Sequence, residues 1–222
     1  MGFCHASIEY QIYFDCCCRS CDFLCALRIV EQVRLNEARI QQLNDTQSRG
    51  RISLSGTLLD PQVRYSGAQE KLSKAVTERE RFYALNDAAR SSFEIGKTEE
   101  ADRYARELMT LKERYQDDWN CGNAIHGANV VLGRIALIEN RVDDSKKHLI
   151  AAGNSPGSPQ LNSFGPNMTL AKDLLENHET EIVLEYFELC RVFWEMHDEK
   201  LDSWSEAVKN GDVPEFGGNL LH

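Results

Sequence analysis

The chain has 222 residues, 42% of them hydrophobic, enough apolar material for the core of one large domain or two small ones. Its 25 basic and 35 acidic side chains leave a net charge of −10, and residues 173–200 alone hold nine acids against two bases, which argues against nucleic acid or an anionic membrane as a partner. No run approaches the roughly 20 apolar residues that cross a bilayer, so no membrane span is expected.

Residues 1–21 lack the basic start and uninterrupted apolar centre of a secretory signal, and a cytoplasmic location is expected. Six of the eight cysteines, Cys4, Cys16, Cys17, Cys18, Cys21 and Cys25, fall in the first 25 residues. A zinc site built from Cys18, Cys21 and Cys25 with Cys4 or His5 would lack two separated ligand pairs, and three adjacent cysteines cannot all face one metal. This segment reads as a poorly ordered Cys-rich leader, with no metal or cofactor expected.

Residues 22–47 keep three-and-four spacing of Phe23, Ala26, Val30, Val33 and Ile40, the mark of an amphipathic helix suited to docking on the rest of the chain or to self-association. Residues 48–67, rich in Gly and Ser, read as a linker. A long helix is expected over 68–95, burying Leu72, Val76, Phe82, Leu85, Ala88, Ala89 and Phe93 and ending at Gly96. The segment KTEEADRYARELMTLKERY follows, with Thr98 as cap, Glu99 and Glu100 in the first turn, and a stripe of Ala101, Tyr104, Ala105, Leu108 and Leu111.

Helices are then expected over 124–139 and 142–152 around a turn at Asn140, and over 166–176 and 179–196 around Asn177. A last helix spans 199–210, leaving 213–222 as a tail. Three of the five prolines fall between positions 156 and 166, in an enlarged connection over 153–165 that ends with Pro166 at a first helical position. The stretch QDDWNCGNAIHG is a second enlarged connection. Long ordered loops of this kind are often functional.

Three times, then, a helix ends at a residue tolerant of the left-handed conformation, Gly96, Asn140 and Asn177, and another starts within a few residues. Five residues past two of the turns stands a small side chain, Ala101 and Ser145, while the third has Ile182. On these residues, GKTEEADRYARELMTL resembles the second half of a tetratricopeptide repeat, and LGRIALIENRVDDSKKHLIAA the centre of another, with Leu132, Gly133 and Ala136 as its first-helix marks. The stretch is also similar to bacterial tetratricopeptide-like proteins. The turns are 44 and 37 residues apart, against roughly 34 in a regular array.

The resemblance implies an all-α fold: a right-handed array of antiparallel helical hairpins, an α-solenoid, over residues 68–212, preceded by the amphipathic helix. It implies a protein- or peptide-binding scaffold working through the concave face of its first helices, where Tyr83, Asn86, Arg90, Phe93, Arg134 and Asn167 would lie. Arg90 and Arg134, at matching places of successive hairpins, would offer two guanidinium forks to an acidic group on the partner; two solvated arginines would show the same spacing.

Nothing in the chain demands catalysis. The histidines His5, His126, His148, His178, His197 and His222 are scattered without a metalloprotease pair, and neither a phosphate-cradling glycine loop nor a Gly-x-Ser-x-Gly motif is present. The alternatives to a scaffold are a small helical hydrolase or transferase using Cys121 and His126, and a purely structural oligomer.

Overall fold

A computed structural model describes residues 60–221, all within one unit spanning Arg39–His222. The expected leader over 1–21, the amphipathic helix over 22–47 with its self-association, and residues 48–59 of the linker lie outside the described residues. Among the described residues there are nine α-helices, two short 3-10 turns and no strand.

The first helix, α1 (Pro61–Lys74), begins inside the segment expected to be linker. The Asp60 carboxylate accepts from Gln62 N–H at 2.8 Å and Pro61 opens the helix, so the Asp-Pro pair that reads as a loop breaker is in fact a cap and first turn. The single helix expected over 68–95 is instead two. Thr77 and Glu80 close a reciprocal capping box that starts α2 (Glu78–Glu94), and Val76, expected in the core, is 91% exposed at the break.

Helix α3 (Thr98–Leu111) buries the whole stripe read from the sequence, although Thr98 is its first residue rather than a cap. It pairs with α2, and a 3-10 turn (Lys112–Arg114) leads to α4 (Cys121–Ile138), which pairs with α5 (Val142–Gly153). Within the expected loop over 153–165, Ser158 caps a six-residue helix, α6 (Pro159–Phe164), by accepting from Leu161 N–H. Helix α7 (Thr169–Leu175) starts three residues after Pro166, which is therefore not a first helical residue. Helix α8 (Thr180–Cys190) stops short of 196, yet Phe193 and Trp194 remain buried in the following turns. Then α9 (Lys200–Lys209) leads to a 3-10 turn (Gly217–Leu220), where Phe216 and Asn219 are buried, so the expected tail is part of the fold.

Four helix ends share one geometry. Gly96, Asn140, His178 and Gly211 are left-handed, and the next amide, on Lys97, Arg141, Glu179 and Asp212, reaches back to the carbonyl of Ser92, Ala136, Leu174 and Ala207. The third turn residue is His178, not Asn177. The Asn177 carboxamide instead donates to the Asp173 carbonyl at 2.6 Å and keeps that residue in the helical turn. Five residues past His178 stands the fully buried Val183, so Ile182 is one position off the register.

Two cores result. One gathers side chains of α1 through α4 around Phe82, Leu85, Leu108 and Ile135; the other gathers α4 through α9 around Leu149, Leu174, Tyr186 and Trp194. Helix α4 belongs to both, with fifteen of its 18 residues buried. It packs against α2 and α7 as well as α3 and α5. Gly133 permits this crowding, since a Cβ there would lie 2.3 Å from a Leu170 methyl and 3.0 Å from His148 Cβ.

Candidate functional site

The start of α4 is where chemistry-bearing side chains converge. Tyr83 of α2 stacks on Trp119, with ring centroids 5.7 Å apart, and its hydroxyl donates to Asp118 at 2.8 Å. Arg79 donates to the same carboxylate at 2.8 Å while lying over the Tyr83 ring. Burial pushes the Asp118 carboxyl up, but hydrogen bonds from the Asn120 N–H, Tyr83 and Arg79 outweigh it and hold the group below its usual range. The anion thus holds the ring pair in place.

Beside this wall a chain of polar side chains joins α4 to α6. Ser158 Oγ bonds Asn123 Oδ1 at 2.6 Å, and Asn123 Nδ2 donates to Asn120 Oδ1 at 2.9 Å and to Gln160 Oε1. Two glycines let the loop come this close. A Cβ on Gly122 would sit 1.8 Å from the Gly157 carbonyl oxygen, and Ser155 Oγ donates to the Gly122 carbonyl at 2.9 Å.

His126 forms the deepest part. Its Nε2 accepts from Asn167 N–H at 3.0 Å, so its Nδ1 carries the proton toward the Ala152 carbonyl at 3.2 Å. Burial pulls its pKa down to about 4, against a small opposing effect of the Ala152 carbonyl. Both ring nitrogens are committed to backbone, and burial pushes the Cys121 thiol up, so the expected thiol and base are a neutral imidazole and a protonated thiol.

Tyr83, Trp119, Asn120, Asn123, His126 and Gln160 line an open pocket of about 490 Å³. Four of the six residues expected on the concave face, Tyr83, Asn86, Arg90 and Asn167, line it. Phe93 and Arg134 do not. Both are buried; the Arg134 guanidinium lies 4.6 Å from the Phe93 ring centroid and pairs with Asp173, and the two line only a crevice of about 30 Å³. The two arginines therefore do not form a paired fork. Arg90 remains at the pocket, donating to the Leu221 carbonyl at 3.3 Å and to Asp87 at 3.4 Å.

Sequence reasoning missed Trp119, Asn120, Asn123, Gln160 and Phe164, all at the pocket. Trp119 and Phe164 are 49% and 62% exposed and stand at one pocket, where together they offer aromatic surface at its rim. The available signal was an aromatic residue in each of the two enlarged connections. The rim is held from behind: Asn219 donates to the Phe164 and Pro166 carbonyls, both at 3.0 Å, and its own carbonyl accepts from Met168 N–H at 2.8 Å.

Among the described residues no group of three His, Cys, Asp or Glu side chains is placed to hold a metal, and no helix is long and apolar enough to cross a membrane. No family model, curated protein or solved structure matches the chain.

Proposed function

We propose that this chain is a protein- or peptide-binding scaffold, a tetratricopeptide-like array of helical hairpins that works through the groove beside its first helices and performs no reaction of its own. The observation that carries this reading is the pocket itself: Tyr83, Asn86, Arg90 and Asn167 gather around about 490 Å³ whose rim exposes Trp119 and Phe164. Exposed aromatics beside carboxamides are the surface a polypeptide needs, since rings bury its side chains and amides match its main chain. The layering agrees with it, because α2, α4 and α7, the first helices of the three hairpins, pack on one another in order. A cytoplasmic adaptor is the setting proposed.

Selection from a displayed random-peptide library on the full chain tests the reading. Binders should be recovered whose capture is lost on Trp119→Ala and Phe164→Ala, two exposed sites whose truncation leaves the thermal midpoint within a few degrees. Binders indifferent to both substitutions, or none at all, would place the function elsewhere.

A further inference from the structure

The direction of the hydrogen bonds in the pocket can be read from one backbone amide outward. Leu161 N–H donates to Ser158 Oγ at 3.0 Å, and the Ser158 hydroxyl donates to Asn123 Oδ1 at 2.6 Å. Asn123 must then present its NH₂ on the other side, where it meets Asn120 Oδ1 and Gln160 Oε1. Both of those carboxamides are thereby turned with their oxygens inward. Their NH₂ groups, Asn120 Nδ2 and Gln160 Nε2, have no partner among the described residues, and Asn120 is only 7% exposed. Asn86 adds a half-buried carboxamide lacking a partner among the described residues, wedged so tightly that a Cβ on Gly127 would lie 1.9 Å from its Oδ1.

Neither nitrogen is fully shielded, so each is open to water and equally to the acceptor of a bound ligand. The charges decide which acceptor. Arg90 and Lys71 share Asp87, at 3.4 and 3.2 Å, Arg90 also donates to the Leu221 carbonyl, Asp118 is held by Arg79 and Tyr83, and the whole chain carries −10. Among the described residues Arg90 is the cation that lines the pocket, and it is already engaged, so it offsets only part of the desolvation of a carboxylate, whereas a neutral carbonyl costs much less to desolvate.

We propose that the groove takes an uncharged peptide segment, its main-chain carbonyl oxygens accepting from Asn120 and Gln160 and an aromatic or large aliphatic side chain resting on Trp119 and Phe164. This rests on the peptide-binding reading above and narrows it: the acidic partner implied by two arginine forks gives way to a neutral one.

The test is an array of N-acetylated, C-amidated heptapeptides with neutral flanks and Phe, Leu, Ala, Lys or Glu at the centre, measured against the full chain by fluorescence anisotropy. Phe- and Leu-centred peptides should bind at least about tenfold more tightly than Glu-centred ones. Gln160→Glu, at an exposed position, swaps the free donor for an acceptor and should weaken the Phe-centred peptide about tenfold while leaving the thermal midpoint unchanged; Asn120→Asp should weaken it likewise but lower the midpoint, since it puts a second carboxylate at a 7% exposed position beside Asp118. Glu-centred peptides binding best, or Gln160→Glu binding normally, overturns the donor assignment but leaves peptide binding standing. If no peptide binds, and a neutral oligosaccharide does in a Trp119-dependent way, peptide binding itself is overturned.

Discussion

Arg134 Nε donates to Asp173 Oδ2 at 2.6 Å between α4 and α7, and each side chain is less than one-tenth exposed. The guanidinium also covers the Phe93 ring of α2, so one residue joins three helices. An arginine expected at a solvent-facing groove is a structural tie.

Removing one partner of such a pair strands the other charge in the interior. Arg134→Met should therefore destabilise the fold by about 3 to 5 kcal/mol, and adding Asp173→Leu should recover most of that loss. Urea denaturation of the two variants measures this. A single variant within about 0.5 kcal/mol of the natural chain would mean the pair is solvated.

The break between α1 and α2 separates two effects. Thr77→Ala removes the capping hydroxyl from the Glu80 N–H and should cost about 1 kcal/mol. Val76→Lys should change stability by less than about 0.5 kcal/mol, because the side chain is already in water. A continuous helix with Val76 in the core would reverse the order of the two.

Two glycines should respond for different reasons. Gly96 is left-handed in open space, so Gly96→Ala should cost about 1 kcal/mol from backbone strain alone. Gly122→Ala drives a methyl group into the Gly157 carbonyl and should cost more, about 2 to 3 kcal/mol, while also loosening the Asn120–Asn123–Ser158 chain. Chemical denaturation ranks them, and equal losses would count against the close approach of α4 to its loop.

His126 sets a pH dependence. Its pKa falls from 6.5 to about 4 on folding, so between those values the unfolded chain takes up a proton that the folded chain refuses. Its effect on stability is constant above about pH 6.5 and turns unfavourable as pH falls, by about 1.4 kcal/mol per pH unit, reaching about 3 kcal/mol near pH 4. Gln in its place carries a donor and an acceptor but does not titrate. The difference in unfolding free energy between His126→Gln and the natural chain should therefore shift in the variant's favour across that window, and a pH-independent difference would show that His126 is solvated.

The local pattern was legible from the amino-acid order alone. The all-helical character, the stripe of α3, and the left-handed turns at Gly96 and Asn140 follow from residue spacing and backbone preference, which act over a few positions. The Asp60–Pro61 cap and the Thr77–Glu80 box were equally local and legible, but apolar spacing across Val76 masked one and the breaker residues of the linker the other. The rest needed tertiary structure. Arg90 and Arg134 each stand six residues before a left-handed turn residue, Gly96 and Asn140, yet Arg134 meets a carboxylate 39 residues further along while Arg90 meets a carbonyl at Leu221. The pocket likewise draws on α2, the start of α4, α6 and the turn held by Asn219. Burial and pairing of a polar side chain depend on what packs across from it, and that neighbour is chosen by the stacking of helices far apart in the chain.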